Sequence, residues 1–353
     1  MRRLSLSLLL AASAASLLVP ARLAADLVWT PQDGWKVEGG ALAEFTGEQS
    51  GNALDLMNKA RAAEETRSAK SALKIYTNVQ KKYPNSIFAP EAIYRAGRIQ
   101  QQHQELYKAF ETYQQLVSRY PNSDKFTQVI GEQYRIASDL FAGKRVRLWG
   151  WLPGFKNRER ALEYFETIVR TAPFSDYAPL SLMNASRGYK QVGETEAAID
   201  ALDRMINTYP RSVLTPDAYL KIAETHASLV DGPLYDQAST KQAVTYYEDY
   251  MILFPGDAGM VQAENGLARM KTVLAQSKLT IADYYYKHRK NYKAARVFYN
   301  EAITVYPDSD VAAQARAKLV DVDAKLEGQA ATAAGQPAPK AAEPPKKKRF
   351  WIF

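Results

Sequence analysis

Residues 295–309, ARVFYNEAITVYPDS, contain the pattern that decides the fold. An alanine stands twelve residues before the proline, a tyrosine stands eight before it, and a serine follows it by two. The first two positions are four apart, so they lie on one face of a helix. Proline lacks an amide hydrogen and disfavours helical geometry in the preceding residue, so the helix ends there. The stretch therefore predicts the second helix of a helical hairpin, followed by a turn.

The same pattern occurs six times along the chain. Its prolines are Pro84, Pro121, Pro173, Pro210, Pro255 and Pro307. Its alanines are Ala72, Ala109, Ala161, Ala198, Ala243 and Ala295. Its large apolar residues are Tyr76, Tyr113, Phe165, Leu202, Tyr247 and Tyr299. Small and large side chains in fixed register allow neighbouring helices to pack closely, and the shorter intervals are near the roughly 34-residue tetratricopeptide period. We therefore predict an all-α, tetratricopeptide-like solenoid of about six helical hairpins over residues 52–327, with a C-terminal capping helix at residues 311–327.

Two further features complete each predicted unit. Ile93 and Gly97 have the spacing at which a leading helix packs against its partner. A serine lies two residues after five of the six prolines, where it could cap the following helix. These serines are Ser86, Ser123, Ser175, Ser212 and Ser309. A generic helical bundle is the alternative, but a bundle has no reason to repeat alanine and a large apolar residue in register.

The amino-terminal residues have the pattern of a secretory signal. Arg2 and Arg3 precede an apolar run, and small residues follow, so we expect residues 1–25 to be a signal peptide cleaved after Ala21 or Ala25. An uncleaved membrane anchor is the alternative, although the run is shorter than the roughly 20 residues that span a bilayer. Residues 26–51 contain tryptophans amid proline and glycine. This segment is expected to be extended and to pack on the first repeat, with disorder as the alternative.

Charge and cysteine content exclude several classes of function. The formal net charge is +8, cleavage after Ala25 would remove three arginines, and four of the remaining cations lie together at residues 346–349, so the body is close to neutral. A nucleic-acid groove would need a basic stripe on the folded part, so no nucleic-acid partner is expected. The sequence contains no cysteine, which excludes disulfides, thiol catalysis and a lipid-modified cysteine within it.

No catalytic, cofactor-binding or metal-binding motif is found. The three histidines, His103, His226 and His288, fall in different repeats without a ligand partner at a metal-binding spacing. A glycine-rich phosphate loop, a nucleophile elbow and a zinc-binding helix are all absent from the sequence. We therefore expect a protein that binds other macromolecules and is not an enzyme.

Two segments are candidate binding sites. The insertion at residues 143–158, between the two helices of the third unit, combines tryptophan and arginine, which are typical interface anchors. Its candidate residues are Arg145, Arg147, Trp149 and Trp151. Such a loop could equally fold its aromatic side chains inward. The second segment, residues 346–353, is a basic and aromatic tail that follows a flexible Ala/Pro linker at residues 328–345. Its candidate membrane-binding or partner-binding residues are Lys346, Lys347, Lys348, Arg349, Phe350, Trp351 and Phe353.

The sequence also resembles a known family. Residues 279–310, LTIADYYYKHRKNYKAARVFYNEAITVYPDSD, resemble the BamD-like proteins of the outer-membrane β-barrel assembly machinery, within a broader match from about residue 255 to residue 319. The resemblance implies a periplasmic scaffold at the outer membrane that binds the barrel-inserting subunit and receives unfolded barrel precursors. Family members are usually lipoproteins, and this sequence departs from that pattern in having no cysteine. The alternative is an exported tetratricopeptide adaptor for another envelope complex, in cell-wall coordination or secretion.

Overall fold

Helices joined by short turns make up most of the chain. The structure, a computed structural model, describes residues 26–38, 48–148, 152–153 and 158–335. The helices are α1 (Glu48–Glu65), α2 (Ala69–Lys82), α3 (Phe88–Gln102), α4 (Leu106–Arg119), α5 (Phe126–Phe141), α6 (Arg158–Thr171), α7 (Tyr177–Val192), α8 (Thr195–Thr208), α9 (Thr215–Ser228), α10 (Gln237–Leu253), α11 (Met260–Tyr284), α12 (Tyr292–Val305) and α13 (Asp310–Gly335). A π-helical turn, Tyr285–Arg289, extends α11. Consecutive helices pack as pairs within each part of the chain: α1 with α2, α3 with α4, α5 with α6, α9 with α10 and α11 with α12. This arrangement confirms the predicted all-α, tetratricopeptide-like fold.

Two short hairpins accompany the helices. Strands β1 (Asp26–Thr30) and β2 (Gly34–Glu38) pair antiparallel, with Trp29 opposite Trp35. Strands β3 (Arg147–Leu148) and β4 (Leu152–Pro153) pair in the insertion between α5 and α6. The chain divides into two compact units, Met1–Glu194 and Thr195–Phe353, so each unit is described by itself.

The alanine and large apolar positions form the centres of the pairs. All six alanines are fully buried, and the six large side chains are at most 2% exposed. Three of the tyrosines bury the ring while the hydroxyl donates to a polar side chain of the preceding helix. These bonds are Tyr76 to Glu64 (3.0 Å), Tyr113 to Gln101 (3.0 Å) and Tyr299 to Asp283 (2.5 Å). Burial raises the pKa of these three hydroxyls well above its ordinary value, so they remain protonated donors.

Leading helices leave room for the large side chains by carrying glycine where the ring lies. A Cβ atom on Gly97 of α3 would lie 2.3 Å from the Tyr113 ring. A Cβ atom on Gly266 of α11 would lie 2.3 Å from the Tyr247 ring. Real Cβ contacts are never this short, so these glycines are required by packing against the aromatic ring.

The prolines end the trailing helices as predicted, but most of the serines do not cap. Tyr83, Tyr120 and Phe254, each just before a proline, have φ near −130°, outside helical geometry. Of the five serines, only Ser309 caps a helix, and its hydroxyl accepts a hydrogen bond from the Ala312 amide at 3.1 Å. At each of the other four serines, the backbone carbonyl accepts a hydrogen bond from the amide three residues later. The serine therefore lies in a turn that precedes the helix. The capping prediction is therefore wrong for Ser86, Ser123, Ser175 and Ser212.

The amino-terminal hairpin packs against the first repeat. Trp35 is 5% exposed and shares a core with Met57, Tyr76 and Phe88. Its backbone amide donates to Asn58 Oδ1 at 2.8 Å. The Arg61 guanidinium lies 4.3 Å from the Trp29 ring. Residues 26–38 thus form a hairpin on the helices, whereas residues 48–51, which we predicted to be extended, are the first turn of α1.

A partly buried ion-pair network joins this region to α3 and α5. Glu91 of α3 is 4% exposed and pairs with Arg95 at 2.7 Å and with Lys125 at 3.6 Å. Arg95 also lies 3.9 Å from Glu64 of α1, and its guanidinium is 5.3 Å from the Trp35 ring. The network therefore connects the hairpin, the first repeat and the residue that precedes α5.

The capping helix is longer than predicted. It was expected to end at residue 327, but α13 continues to Gly335. Alanine has the highest helix propensity, and residues 330–334 contain four alanines, so the helix extends until shortly before Pro337. Residues 328–335 are therefore helix and not linker. Residues 336–345 lie outside the described residues, as do the predicted signal peptide and Phe45.

Candidate partner-binding surfaces

The leading helices of the first unit enclose two cavities. The first, about 350 Å³, lies between α3 and α5. It is lined by Tyr94, Arg98, Gln101, Gln102, Gln128, Glu132 and Arg135. The second, about 450 Å³, lies along α5 and α7. It is lined by Tyr134, Ser138, Phe141, Ala142, Arg158, Asn184, Arg187 and Gln191. Because α5 contributes to both, we refer to the two cavities together as the leading-helix groove.

Helical periodicity explains why these residues share a face. On α3, Tyr94 and Arg98 are four residues apart and Gln101 follows by three. On α5 the same spacing places Gln128, Glu132 and Arg135 on one side. Residues three and four apart are neighbours on a helix surface, so each leading helix presents a short polar row. The opposite side of each helix carries the apolar residues of the core.

Hydrogen bonds across the groove fix several of these side chains. Gln128 donates to the Tyr94 hydroxyl at 2.5 Å, which joins α5 to α3. Gln101 donates to Glu132 at 2.9 Å. In the second cavity Asn184 donates to the Tyr134 hydroxyl at 2.7 Å. The groove therefore presents ordered polar groups to an incoming partner, which reduces the entropy lost on binding.

The groove is cationic. Four arginines and one carboxylate line it, and the carboxylate, Glu132, pairs with Arg135 at 3.4 Å. Among the described residues, no carboxylate lies within 4.0 Å of Arg98, Arg158 or Arg187. Arg187 instead donates to Asn184 at 2.6 Å and lies 5.1 Å from the Phe141 ring. Arginine beside an aromatic ring is the typical composition of a binding surface that accepts carboxylates and backbone carbonyls.

The second unit has a larger and less charged cavity. Its volume is about 690 Å³, and it lies between α9 and α11, above Tyr247 of α10. Its lining residues include Glu224, Val261, Gln262, Asn265 and Arg269. Val261 is 67% exposed, so this cavity offers an exposed aliphatic side chain.

The predicted insertion site is only partly described. Arg145 is exposed, and the neighbouring Val146 is 3% exposed. Arg147 lies in β3, where its backbone pairs with Pro153. Trp149 and Trp151 lie outside the described residues. The tail candidates, residues 346–353, also lie outside the described residues.

Sequence reasoning missed the leading-helix groove. Exposed tryptophans and clusters of charge are visible in the sequence, whereas the groove residues are spread over α3, α5 and α7, with Arg158 at the start of α6. A signal was present, since polar and aromatic residues recur at spacings of three and four on α3, α5 and α7.

Comparisons with known proteins agree with this fold. A tetratricopeptide-repeat family model matches residues 56–86 and 91–123. The family model YfiO, described as outer membrane lipoprotein, matches residues 155–336, more than half of the chain. The repeats define a tetratricopeptide-repeat protein. Within that class, the chain belongs to the YfiO family.

Individual relatives are more distant. The chain is 26% identical over 133 residues to the outer membrane protein assembly factor BamD of Caulobacter vibrioides. That match covers 37% of this chain and 43% of the relative, so it spans less than half of the relative's length. Among the described residues, no helix is both long enough and apolar enough to cross a membrane.

Solved structures with similar helices are tetratricopeptide-repeat proteins. One is the carboxy-terminal part of a protein from Cytophaga hutchinsonii, with 18% identity and a TM-score of 0.33, covering 77% of this chain and 90% of that one. Another is from Parabacteroides merdae, with 12% identity and a TM-score of 0.31, covering 76% of this chain and 98% of that one. Neither likeness carries an argument about function.

Proposed function

We propose that this protein is a periplasmic scaffold of the outer membrane that binds the barrel-inserting subunit and assists the assembly of outer-membrane β-barrel proteins. The YfiO match over residues 155–336 is the observation that carries the proposal. The relative from Caulobacter vibrioides is itself named an assembly factor for outer membrane proteins. Tetratricopeptide arrays act by presenting a binding surface, and that role fits a scaffold that is not an enzyme.

The leading-helix groove is the site we assign to unfolded barrel precursors. Three of its arginines have no carboxylate partner among the described residues and can donate to backbone carbonyls or carboxylates, and the half-buried Phe141 supplies an aromatic contact. An extended peptide offers both kinds of group along its length. The groove is therefore suited to a polypeptide in extended form.

Charge reversal in the groove tests this assignment. The double variant Arg98→Glu, Arg187→Glu should weaken binding of a urea-unfolded outer-membrane barrel protein at least tenfold, because two cations become anions at the contact surface. The matched control is Lys70→Glu, Lys108→Glu, which changes charge equally on the trailing helices α2 and α4. Equal affinities for the two double variants, measured by fluorescence anisotropy, would remove the groove from the proposal.

The insertion at residues 143–158 is proposed as a second partner contact. Trp149→Ala with Trp151→Ala should weaken partner binding and leave the far-ultraviolet circular dichroism unchanged. Unfolding of this variant would instead show that the tryptophans stabilise the fold. The tail at residues 346–353 is proposed as a peripheral membrane or partner contact, with the linker before it giving reach.

A second function is supported by the amino-terminal repeats. Residues 56–86 and 91–123 match the general tetratricopeptide model and lie outside the YfiO match, so this part could serve a different envelope complex. Affinity purification from envelope extracts separates the two functions. The barrel-inserting subunit should be the dominant partner; recovery of a cell-wall or secretion component in its place would favour the adaptor function.

A further inference from the structure

The turn between α11 and α12 carries a concentrated positive charge. Lys287, Arg289, Lys290 and Lys293 lie within seven residues and are all exposed. Residues 284–293, YYYKHRKNYK, contain no acidic residue. We call this segment the basic turn.

Nearby carboxylates do not neutralise it. Asp283 is 3.7 Å from Lys287, but it is held more closely by Lys318, at 2.6 Å. Asp321 accepts a hydrogen bond from Tyr286. Among the described residues, Arg289, Lys290 and Lys293 have no carboxylate within 4.0 Å. The charge of the basic turn is therefore available to a partner.

Aromatic side chains accompany the cations. Tyr284 is 51% exposed, and its ring centroid lies 5.6 Å from that of His288. Tyr285 stacks on Phe298 with centroids 5.4 Å apart, which fixes the base of the turn. Lys290 has φ of 47°, and the amide of Asn291 donates to the Tyr285 carbonyl at 3.1 Å, so the backbone reverses tightly here. The cations are thus exposed on a tight turn whose base is held by the stacked rings.

The chain leaves the second unit at the same end. Tyr285 and Tyr292 pack in one core with Val322 and Leu326 of α13, so the basic turn lies beside the later part of that helix. From residue 327 to Gly335 the helix continues for about 13 Å at about 1.5 Å per residue. The sequence beyond it ends in KKKRFWIF, a second basic and aromatic segment.

We propose that the basic turn binds the surface of an anionic phospholipid bilayer. An exposed turn with three lysines and one arginine suits the diffuse charge of lipid headgroups, because an ammonium acts as a point charge without a required geometry. Tyrosine is enriched at the membrane–water interface, where its ring and hydroxyl meet different surroundings. The inference concerns a different surface from the groove and does not depend on the protein partners proposed above.

Vesicle binding tests the proposal. The protein is sedimented with vesicles of phosphatidylcholine alone or of phosphatidylcholine with 30% phosphatidylglycerol, at low and high salt. Replacing Lys287, Arg289, Lys290 and Lys293 with glutamine should lower partitioning onto the anionic vesicles at least tenfold at low salt. The matched control replaces four exposed cations elsewhere, Lys70, Lys81, Arg119 and Lys241, with glutamine and changes the net charge equally.

Each variant is also prepared without residues 346–353, so that the turn and the tail are measured separately. Loss of anionic binding in the turn variant, with and without the tail and beyond that of the control, supports the proposal. Equal losses in the turn and control variants would show only an effect of net charge and would overturn it. Unchanged vesicle binding with loss of an acidic protein partner would overturn it in favour of a protein surface.

Discussion

A single methyl group decides the packing at the alanine position of each repeat. Ala295 is fully buried in a core with Tyr299 and Ala302 of its own helix and Leu279 of α11. A larger side chain there must displace a neighbouring helix or adopt a strained rotamer. The position therefore tolerates little variation in size.

Replacing Ala295 with leucine should overpack this site. We expect the free energy of unfolding to fall by about 1–3 kcal/mol, measured by urea denaturation. Ala313→Leu is the control, because Ala313 is exposed on α13 and should change stability little. An unchanged denaturation midpoint for Ala295→Leu would contradict the register of the repeats.

Gly97 tests the same close packing on a leading helix, where even the methyl group of alanine is too large. Gly97→Ala gains up to about 1 kcal/mol of helix propensity but forces the new Cβ into the buried Tyr113 ring. Overpacking costs about 1–3 kcal/mol, so the net effect should be destabilising. Gly51→Ala, where a Cβ meets no atom within 4 Å, should be neutral or stabilising. Equal thermal midpoints for both variants would show that the ring moves aside without cost.

Asp283 should make the second unit sensitive to acid. Burial alone raises the pKa of this carboxyl, but hydrogen bonds from Lys318 and Tyr299 outweigh burial and hold the pKa below its ordinary value of 3.8. A lowered folded-state pKa contributes stability above the unfolded value, and this contribution is lost as pH falls through the folded value. The stability difference between the wild type and Asp283→Asn should therefore be full near pH 6 and shrink below about pH 4. A difference that stays constant down to pH 3 contradicts this coupling.

At the scale of elements, the amino-terminal hairpin is held by one side of its small sheet. Trp35 is buried against the first repeat, while Trp29 is only partly buried beneath Arg61. Truncating a buried aromatic residue removes both its apolar contacts and the space they fill. The two tryptophans should therefore differ in their contribution to stability.

We expect Trp35→Ala to destabilise by about 3 kcal/mol, near the lower end for a buried aromatic residue. Trp29→Ala should cost less, because it loses partial burial and a cation–π contact of about 0.5–1 kcal/mol. Urea denaturation measures both values. If Trp29→Ala costs as much as Trp35→Ala, the different burial of the two rings does not determine their contributions to stability.

How much could be predicted from the sequence also depends on scale. The alanine, aromatic and proline positions predicted six hairpins because each acts locally on one helix and its neighbour. The serine caps were mostly wrong because a backbone carbonyl competes for the same amide, as at Ser86. The groove was missed because Arg98 and Arg187 lie on separate helices, and only the packing of α3, α5 and α7 brings their faces into one row. Features that depend on one helix and its neighbour can be predicted from the sequence, whereas a surface shared by several helices cannot.

At the scale of the whole molecule, stability in a repeat protein is a sum of local contributions. Each repeat contacts mainly its neighbours, so a destabilised repeat loosens itself and the adjacent repeats more than distant ones. The two compact units each have buried cores, one around Tyr76 and another around Tyr299. A substitution in one core should therefore have a regional effect.

Hydrogen exchange followed by mass spectrometry tests this expectation. Gly97→Ala should raise exchange rates in peptides from α2 to α5 and leave peptides from α11 and α12 at wild-type rates, because those helices belong to the core around Tyr299. Ala295→Leu should give the reverse pattern, which makes each variant the control for the other. Uniform acceleration across all peptides in both variants would instead show that the chain opens as one cooperative unit, with coupling between repeats stronger than the local destabilisation.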